Sequence, residues 1–233
     1  MSIPRQVVLD TETTGLNARL GDRVIEIGCI ELLSRRVGEH QFHAYLNPER
    51  RSEEGALKVH GLADEFLADK PKFAAVAQPF LDYIRGAELI IHNADFDVEF
   101  LDLELGRAGL GKLRDHAAGI VDTLAIAREL HPGKRNSLDA LCERYAVDHA
   151  HRTLHGALLD ARLLAEVYLA MTRGQDSLIM DLETPAEQAA MTAAIDASTL
   201  AVLAATPQEL QAHEKYLDGM AKEAAGKVLW RIA

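Results

Sequence analysis

Val7-Val8-Leu9-Asp10-Thr11-Glu12-Thr13-Thr14-Gly15 is an apolar run that ends in two acids two residues apart. Side chains two apart on a β-strand share a face, so Asp10 and Glu12 project together near the strand's end. Carboxylates that close repel unless a proton or a cation sits between them. A divalent metal ion would meet that need, so the rest of the chain is read for further ligands.

The chain has 233 residues, of which 48% are apolar and 26% charged. That fits one well-filled soluble domain plus an appendage. A formal net charge of −11 argues against gripping long nucleic acid through a basic face. It leaves room for a nucleic-acid enzyme whose metals bring positive charge locally. The two cysteines, Cys29 and Cys142, sit in apolar contexts and read as reduced, buried thiols of a cytosolic protein. No signal peptide is read at the N-terminus and no apolar stretch is long enough to cross a bilayer, so a cytoplasmic location without a membrane partner is expected.

Outward from the first strand, read over 5–10, a loop covers 17–22. Strands are expected over 24–30 and 40–46 around a turn at 35–39. Short helices fall within 53–69 and a longer one over 73–85. A strand over 89–92 leads into a helix over 93–108. Residues 119–123 read as a last strand, followed by helix to about 129. Pro132-Gly133 breaks the chain, and Asn136 or Ser137 caps a helix that ends near Tyr145. The stretch 154–171 has the spacing of an amphipathic helix. Strands first, then helices alternating with strands, predict an α/β fold: a mixed sheet flanked by helices.

The character changes after Gly174. A first domain over 1–174 is followed by a short polar segment, 175–180, and a linker over 181–205 rich in Ala, Thr and Glu. The tail 206–233 is helix-like and ends in Val228-Leu229-Trp230. A Trp beside a Leu on a terminal tail suits a docking anchor, the alternative being a tail that folds back on its own domain.

Two further acids and a histidine stand out. Asp160 shares a helical stripe with Leu164, Val167 and Met171, where an ionised carboxylate is costly unless a cation or a hydrogen-bond partner meets it. His155 lies five residues earlier, and alone would read as structural. Asp97, in His92-Asn93-Ala94-Asp95-Phe96-Asp97, falls in the first turn of a helix, where the dipole favours an acid without any function. Together these acids fit strand ends and an inward helix face, the places where sites of open α/β sheets collect. Four carboxylates meeting there would hold two divalent cations for phosphoryl chemistry. Oxygen ligands suit Mg²⁺ or Mn²⁺ rather than zinc. A haloacid-dehalogenase-like phosphatase, the rival reading of an acid pair after an apolar strand, lacks its second acid as Asp and its downstream lysine motif here.

Asp10-x-Glu12, Asp97 within His92-Asn93-x-x-Phe96-Asp97, and His155 five before Asp160 resemble the motifs of the DEDD exonuclease superfamily. Gly156 stands where the tyrosine branch places its Tyr, so the resemblance is to the histidine branch. Asp10–Leu16, Val59–Phe66, Pro132-Gly-Lys-Arg-Asn-Ser-Leu-Asp-Ala-Leu141 and Arg152–Asp160 narrow it to the proofreading, epsilon-subunit family of bacterial DNA polymerase III. The ending Leu229-Trp-Arg is similar to that family's polymerase-binding tail. The resemblance implies a ribonuclease-H-like fold with a mixed five-stranded sheet and a 3′→5′ exonuclease of DNA 3′ ends, single-stranded or frayed. It implies Asp10, Glu12 and Asp160 as direct ligands of two Mg²⁺ or Mn²⁺ ions, Asp97 as a ligand through water, and His155 as general base. Thr13, Leu16, His60 and Phe96 would position the terminal nucleotide. Partners implied are the polymerase catalytic (alpha) subunit, through a tail containing Leu229 and Trp230, and a small theta-like subunit. Gln175-Asp-Ser-Leu178 is similar to a sliding-clamp-binding motif, the alternative being a polar linker. One departure is visible: Gly55 stands where related chains often carry a Glu, with Glu54 adjacent. An RNA-trimming exonuclease of the same superfamily, or a subunit that mainly stabilises a polymerase, remains open at this point.

Overall fold

The computed structural model describes residues 5–149, 154–173 and 205–223. The chain divides into two compact units, Met1–Leu178 and Ile179–Ala233. In the first, a five-stranded sheet has the order β3-β2-β1-β4-β5, with β1 (Gln6–Thr13), β2 (Val24–Leu33), β3 (Arg36–Tyr45), β4 (Glu88–Ile91) and β5 (Gly119–Asp122). The first three strands pair antiparallel, whereas β4 runs parallel to β1 and β5 parallel to β4.

Composition explains the order. Val7, Val8 and Leu9 on β1, and Leu89, Ile90 and Ile91 on β4, are all fully buried, as continuous apolar runs must be when both sheet faces are covered. On one face Val7, Leu9, Ile27 and Leu89 pack with Phe80 of α3 (Phe73–Ile84) and Phe100 of α4 (Ala94–Arg107). On the other, Val8, Ile30 and Ile90 pack with Leu164 and Tyr168 of α7 (Ala157–Met171). Two short helices, α1 (Glu54–His60) and α2 (Asp64–Leu67), follow β3; α5 (Thr123–Leu130) and α6 (Leu138–Tyr145) follow β5. Leu141 and Cys142 of α6 pack against Leu163 and Val167 of α7. Ser137, one of the two expected caps, accepts a hydrogen bond from the Ala140 amide and starts α6.

Three boundaries differ from expectation. β2 and β3 meet in a tight turn at Ser34-Arg35, with φ of 49° and 59°, rather than in a loop over 35–39. Positive φ at both central residues matches the strand twist. Arg36–Glu39 looks turn-like because β3 is an edge strand, where polar residues are tolerated. β1 runs on to Thr13, past the apolar run, because Glu12 still pairs with Glu26 across β2. α7 starts at Ala157 rather than 154: Gly156 is extended (φ −156°), and the His155 amide bonds the Val59 carbonyl instead of a helical partner.

In the second unit, α8 (Pro207–Glu223) begins with a capping box. The Thr206 amide donates to Glu209 and the Glu209 amide returns the bond to the Thr206 hydroxyl. No helix among the described residues is long and apolar enough to cross a membrane. Gln175, Leu178, Leu229 and Trp230 lie outside the described residues.

Candidate active site

Strand alternation puts Asp10 and Glu12 on the face of β1 that carries Val8, toward α7. Asp10 stands opposite Gly28 and Glu12 opposite Glu26 across the β1–β2 ladder. Gly28 is the reason α7 comes so close. A Cβ there would lie 2.2 Å from the Leu158 nitrogen and 2.3 Å from the Ala157 carbonyl carbon, so the first turn of α7 rests directly on β2. That turn carries Asp160, buried at 3% exposure.

His155 Nδ1 lies 3.2 Å from Asp160 Oδ2, and its side chain is 42% exposed, open to a water or a substrate. One ligand atom each of Glu12, His155 and Asp160 falls within 4.8 Å of the others. This is the one such group of metal-binding side chains found among the described residues. Asp10 and Asp97 do not join it at that distance. Asp97 reaches β1 in the first turn of α4, from the side of the sheet opposite α7, and accepts a hydrogen bond of 2.7 Å from Thr11 Oγ1. Burial pushes the Asp97 carboxyl up to about 7, against the hydrogen bonds from Thr11 and the backbone; nearby Asp122 adds to the rise. The donor set is rich in carboxylate oxygens, which fits a hard divalent cation. A buried carboxylate whose ionisation is suppressed by desolvation is also the kind of group a cation would restore to its charged form.

The expected nucleotide-positioning residues differ in burial and in partners. His60 is buried, and its Nδ1 accepts from the Leu62 amide at 2.9 Å. The neutral ring therefore carries its proton on Nε2, which has no partner. Burial holds the imidazole below its ordinary value, opposed by Glu26 and Asp64, so it stays neutral near pH 7. Leu154 packs over Gly61, whose φ of +70° turns the chain after α1. Thr13 is buried with its hydroxyl bonded to the Gly15 carbonyl, and Leu16 is 82% exposed just beyond. Phe96 packs against Phe100 at a tilt of 45°, with ring centroids 4.9 Å apart. The space beside Gly55 is open, and Glu54 is turned into an ion pair with Lys58.

Two residues escaped the sequence reading. Thr11 holds Asp97, but a Thr on a strand gives no signal of its own. Glu26 is buried, with Oε1 2.7 Å from His43 Nε2 and Oε2 without a partner. Its signal was legible: an acid between Ile25 and Ile27 on an otherwise apolar strand, directly across from Glu12.

Residues 7–168 match the exonuclease family. DNA polymerase III subunit epsilon of Escherichia coli (strain K12) is 51% identical over 99% of this chain and 98% of its own length. The same subunit of Haemophilus influenzae is 49% identical over 97% of this chain and 94% of its own. Among solved structures, exonuclease X in complex with 5′-overhanging duplex DNA superimposes with a TM-score of 0.56 at 24% identity, over 72% of this chain and 92% of its own. E. coli exonuclease I in complex with a dT13 oligonucleotide gives 0.65 at 19% identity, over 83% and 46%. Those two likenesses establish the fold, and the sequence relatives establish the branch: the chain belongs to the exonuclease family, among the epsilon subunits of DNA polymerase III.

Proposed function

We propose that this exonuclease removes nucleotides one at a time from the 3′ end of a DNA strand, as the proofreading subunit of the replicative polymerase in the bacterial cytoplasm. The observation that carries the reading is the meeting of Glu12, His155 and Asp160 within 4.8 Å at the end of the central strand. Asp10, Glu12 and Asp160 would hold two divalent cations, Mg²⁺ or Mn²⁺, with Asp97 acting through water. When bound, such ions lower the pKa of a coordinated water and stabilise charge on the phosphate and the leaving oxygen.

His155 takes the proton of the attacking water, and Asp160, at Nδ1, fixes the ring's orientation. The leaving 3′ hydroxyl stays on the shortened strand, and the product is a nucleoside 5′-monophosphate. Thr13, Leu16, His60 and Phe96 position the terminal nucleotide. A mispaired terminus needs less unpairing energy to reach the site, so selectivity follows without base-reading side chains. The tail 206–233, with Leu229 and Trp230, would dock the polymerase catalytic subunit. Gln175 and Leu178 would meet the sliding clamp, and the exonuclease unit a theta-like subunit.

The test is a nuclease assay on paired and mispaired primer ends, and on a short RNA, with and without Mg²⁺. Release of 5′-monophosphates from DNA, faster at the mispair and dependent on metal, is expected. Asp10→Ala should lower turnover by more than about a hundredfold with an unchanged melting temperature. Digestion of RNA with DNA left intact would overturn the reading.

A further inference from the structure

The loop Pro132-Gly-Lys-Arg-Asn-Ser137 is part of one stretch that carries the family resemblance, yet the catalytic reading gives it no task. It joins α5 to α6, turning at Gly133 with φ of +74°. Together with the end of β4 and the outer side of α5 it encloses a cavity of about 360 Å³, lined by His92, Leu124, Arg128, Lys134, Asn136 and Ser137.

No carboxylate lines this cavity, although the chain carries a net charge of −11. Arg128 and Lys134 are exposed, as is Arg135 beside them, and none of the three side chains has a carboxylate partner among the described residues. The floor is fixed rather than loose. Asn136 is buried, its Oδ1 accepting from Arg144 Nη1 at 3.0 Å, and His92 Nδ1 lies 2.9 Å from Thr123 Oγ1. The nearest acid on the strand ends, Asp122, is occupied by the Asn93 and Leu124 amides at 3.0 and 2.9 Å. α6, eight residues long, starts at the cavity wall and adds the partial positive charge of its N-terminus.

The location matters as much as the charge. Val8↔Ile90 is the last pair of the β1–β4 ladder; Asp10 follows two residues later on β1 and His92 two residues later, just past β4. Ile91 pairs in turn with Asp122 on β5. The cavity therefore lies at the C-terminal end of the strand next to β1, the end at which β1 carries Asp10.

We infer that this cavity is a phosphate site for the DNA strand: it takes a phosphodiester upstream of the terminal nucleotide. The inference rests on the 3′→5′ exonuclease reading. A guanidinium fork and an ammonium without acidic partners match the oxygens of a phosphate. A carboxylate-lined centre attracts a polyanion only where cations bridge, so a second, basic contact is what would hold the strand and fix its direction. A free phosphate or the product monophosphate shares this chemistry, and the experiment separates them.

The variant Arg128→Gln/Lys134→Gln is made in the full chain, with Arg128→Lys/Lys134→Arg as the charge-keeping control. The ratio of kcat/KM for a single-stranded 12-mer to that for a dinucleotide should fall about five- to tenfold in the first and stay put in the second. In chelator, binding of a fluorescent 12-mer should show a shallower dependence of log Kd on log salt, by about one to two in slope. An unchanged ratio with an unchanged slope overturns the proposal. So does loss of inhibition by thymidine monophosphate with the strand's slope intact, which would make the cavity a product site. If the parent chain hydrolyses neither substrate, the exonuclease reading falls, while the binding slope still decides the cavity.

Discussion

Asp97 shows how a single buried carboxylate trades stability for a task. Its ordinary value is 3.8, and desolvation raises it to about 7, with Thr11 donating against the rise. A folded-state value above the unfolded one means that the fold binds the extra proton. The associated stability is complete below about pH 4 and is lost as pH climbs through 7. In chelator the ionised side chain is therefore a burden at pH 8. Asp97→Asn keeps an acceptor for Thr11 and removes the charge. The rise corresponds to a ceiling of about 4 kcal/mol, and a gain on the order of 2 kcal/mol at pH 8, shrinking as pH falls and gone below about pH 4, is expected. The gain still stands at somewhat under half its pH 8 size at pH 5, since the unfolded carboxyl ionises near 3.8. Thermal melts at pH 8 and pH 5 measure the difference, and Mg²⁺-dependent turnover should be lost in the same variant. Equal melting temperatures at pH 8 would show that the carboxylate is not destabilising. At this scale Asp10, Glu12 and Asp160 were legible because period-2 and period-3.6 spacing assign a face to each acid. Thr11 was not, since what sets it apart is a hydrogen bond across the sheet, whereas Glu26 left a sign in the acid between Ile25 and Ile27 that only its burial and partnerless Oε2 make significant.

Elements meet where one glycine allows it. The contact of α7 with β2 brings Asp160 beside Glu12, and Gly28 leaves no room for a methyl group, with backbone atoms of Ala157 and Leu158 at 2.2 to 2.4 Å from a Cβ. Backbone cannot swing aside as a side-chain end can, so Gly28→Ala must lift the first turn of α7. A cost of about 3 kcal/mol follows from overpacking, which is a fall of roughly 6–12 °C in a domain this size. Activity should fall further than stability, because the displaced turn carries Asp160 and follows directly on His155. Gly106 offers the contrast. It lies inside α4 with nothing within 4 Å of its Cβ position, and Gly106→Ala should stabilise by about 0.5–1 kcal/mol. Melting curves and kcat for the pair separate a helix effect from a docking effect. The sequence could show α7 through its spacing but could not place its start: the run from Leu154 onward keeps helical spacing, while the His155 amide is claimed by Val59, a tertiary bond. The edge strand β3 misled for a similar reason, since its polar residues are explained by position in the sheet and not by a turn.

At the level of the whole chain, the proposed catalysis and the proposed docking fall in separate units. Among the described residues, the three buried clusters are built from residues from Val7 to Met171, all of the first unit. The change of composition after Gly174 was visible in the sequence, as was the helical character of the tail, where α8 is opened by Thr206 and Glu209. What the tail meets is a matter of partner chemistry, which a chain read alone expresses only as an apolar ending. A chain ending at 178 should therefore melt at the temperature of the full-length exonuclease unit and keep its turnover on a mispaired primer within about twofold, since it retains every proposed ligand and the base. It should lose copurification with the polymerase catalytic subunit, because a docking site removed with its segment leaves no residual affinity to measure. Assay and pull-down on the same preparation give the two answers independently. If the shortened chain still copurifies with the polymerase, the docking surface belongs to the exonuclease unit, and the exposed side chains around Leu16 and Leu20 become the place to look for it.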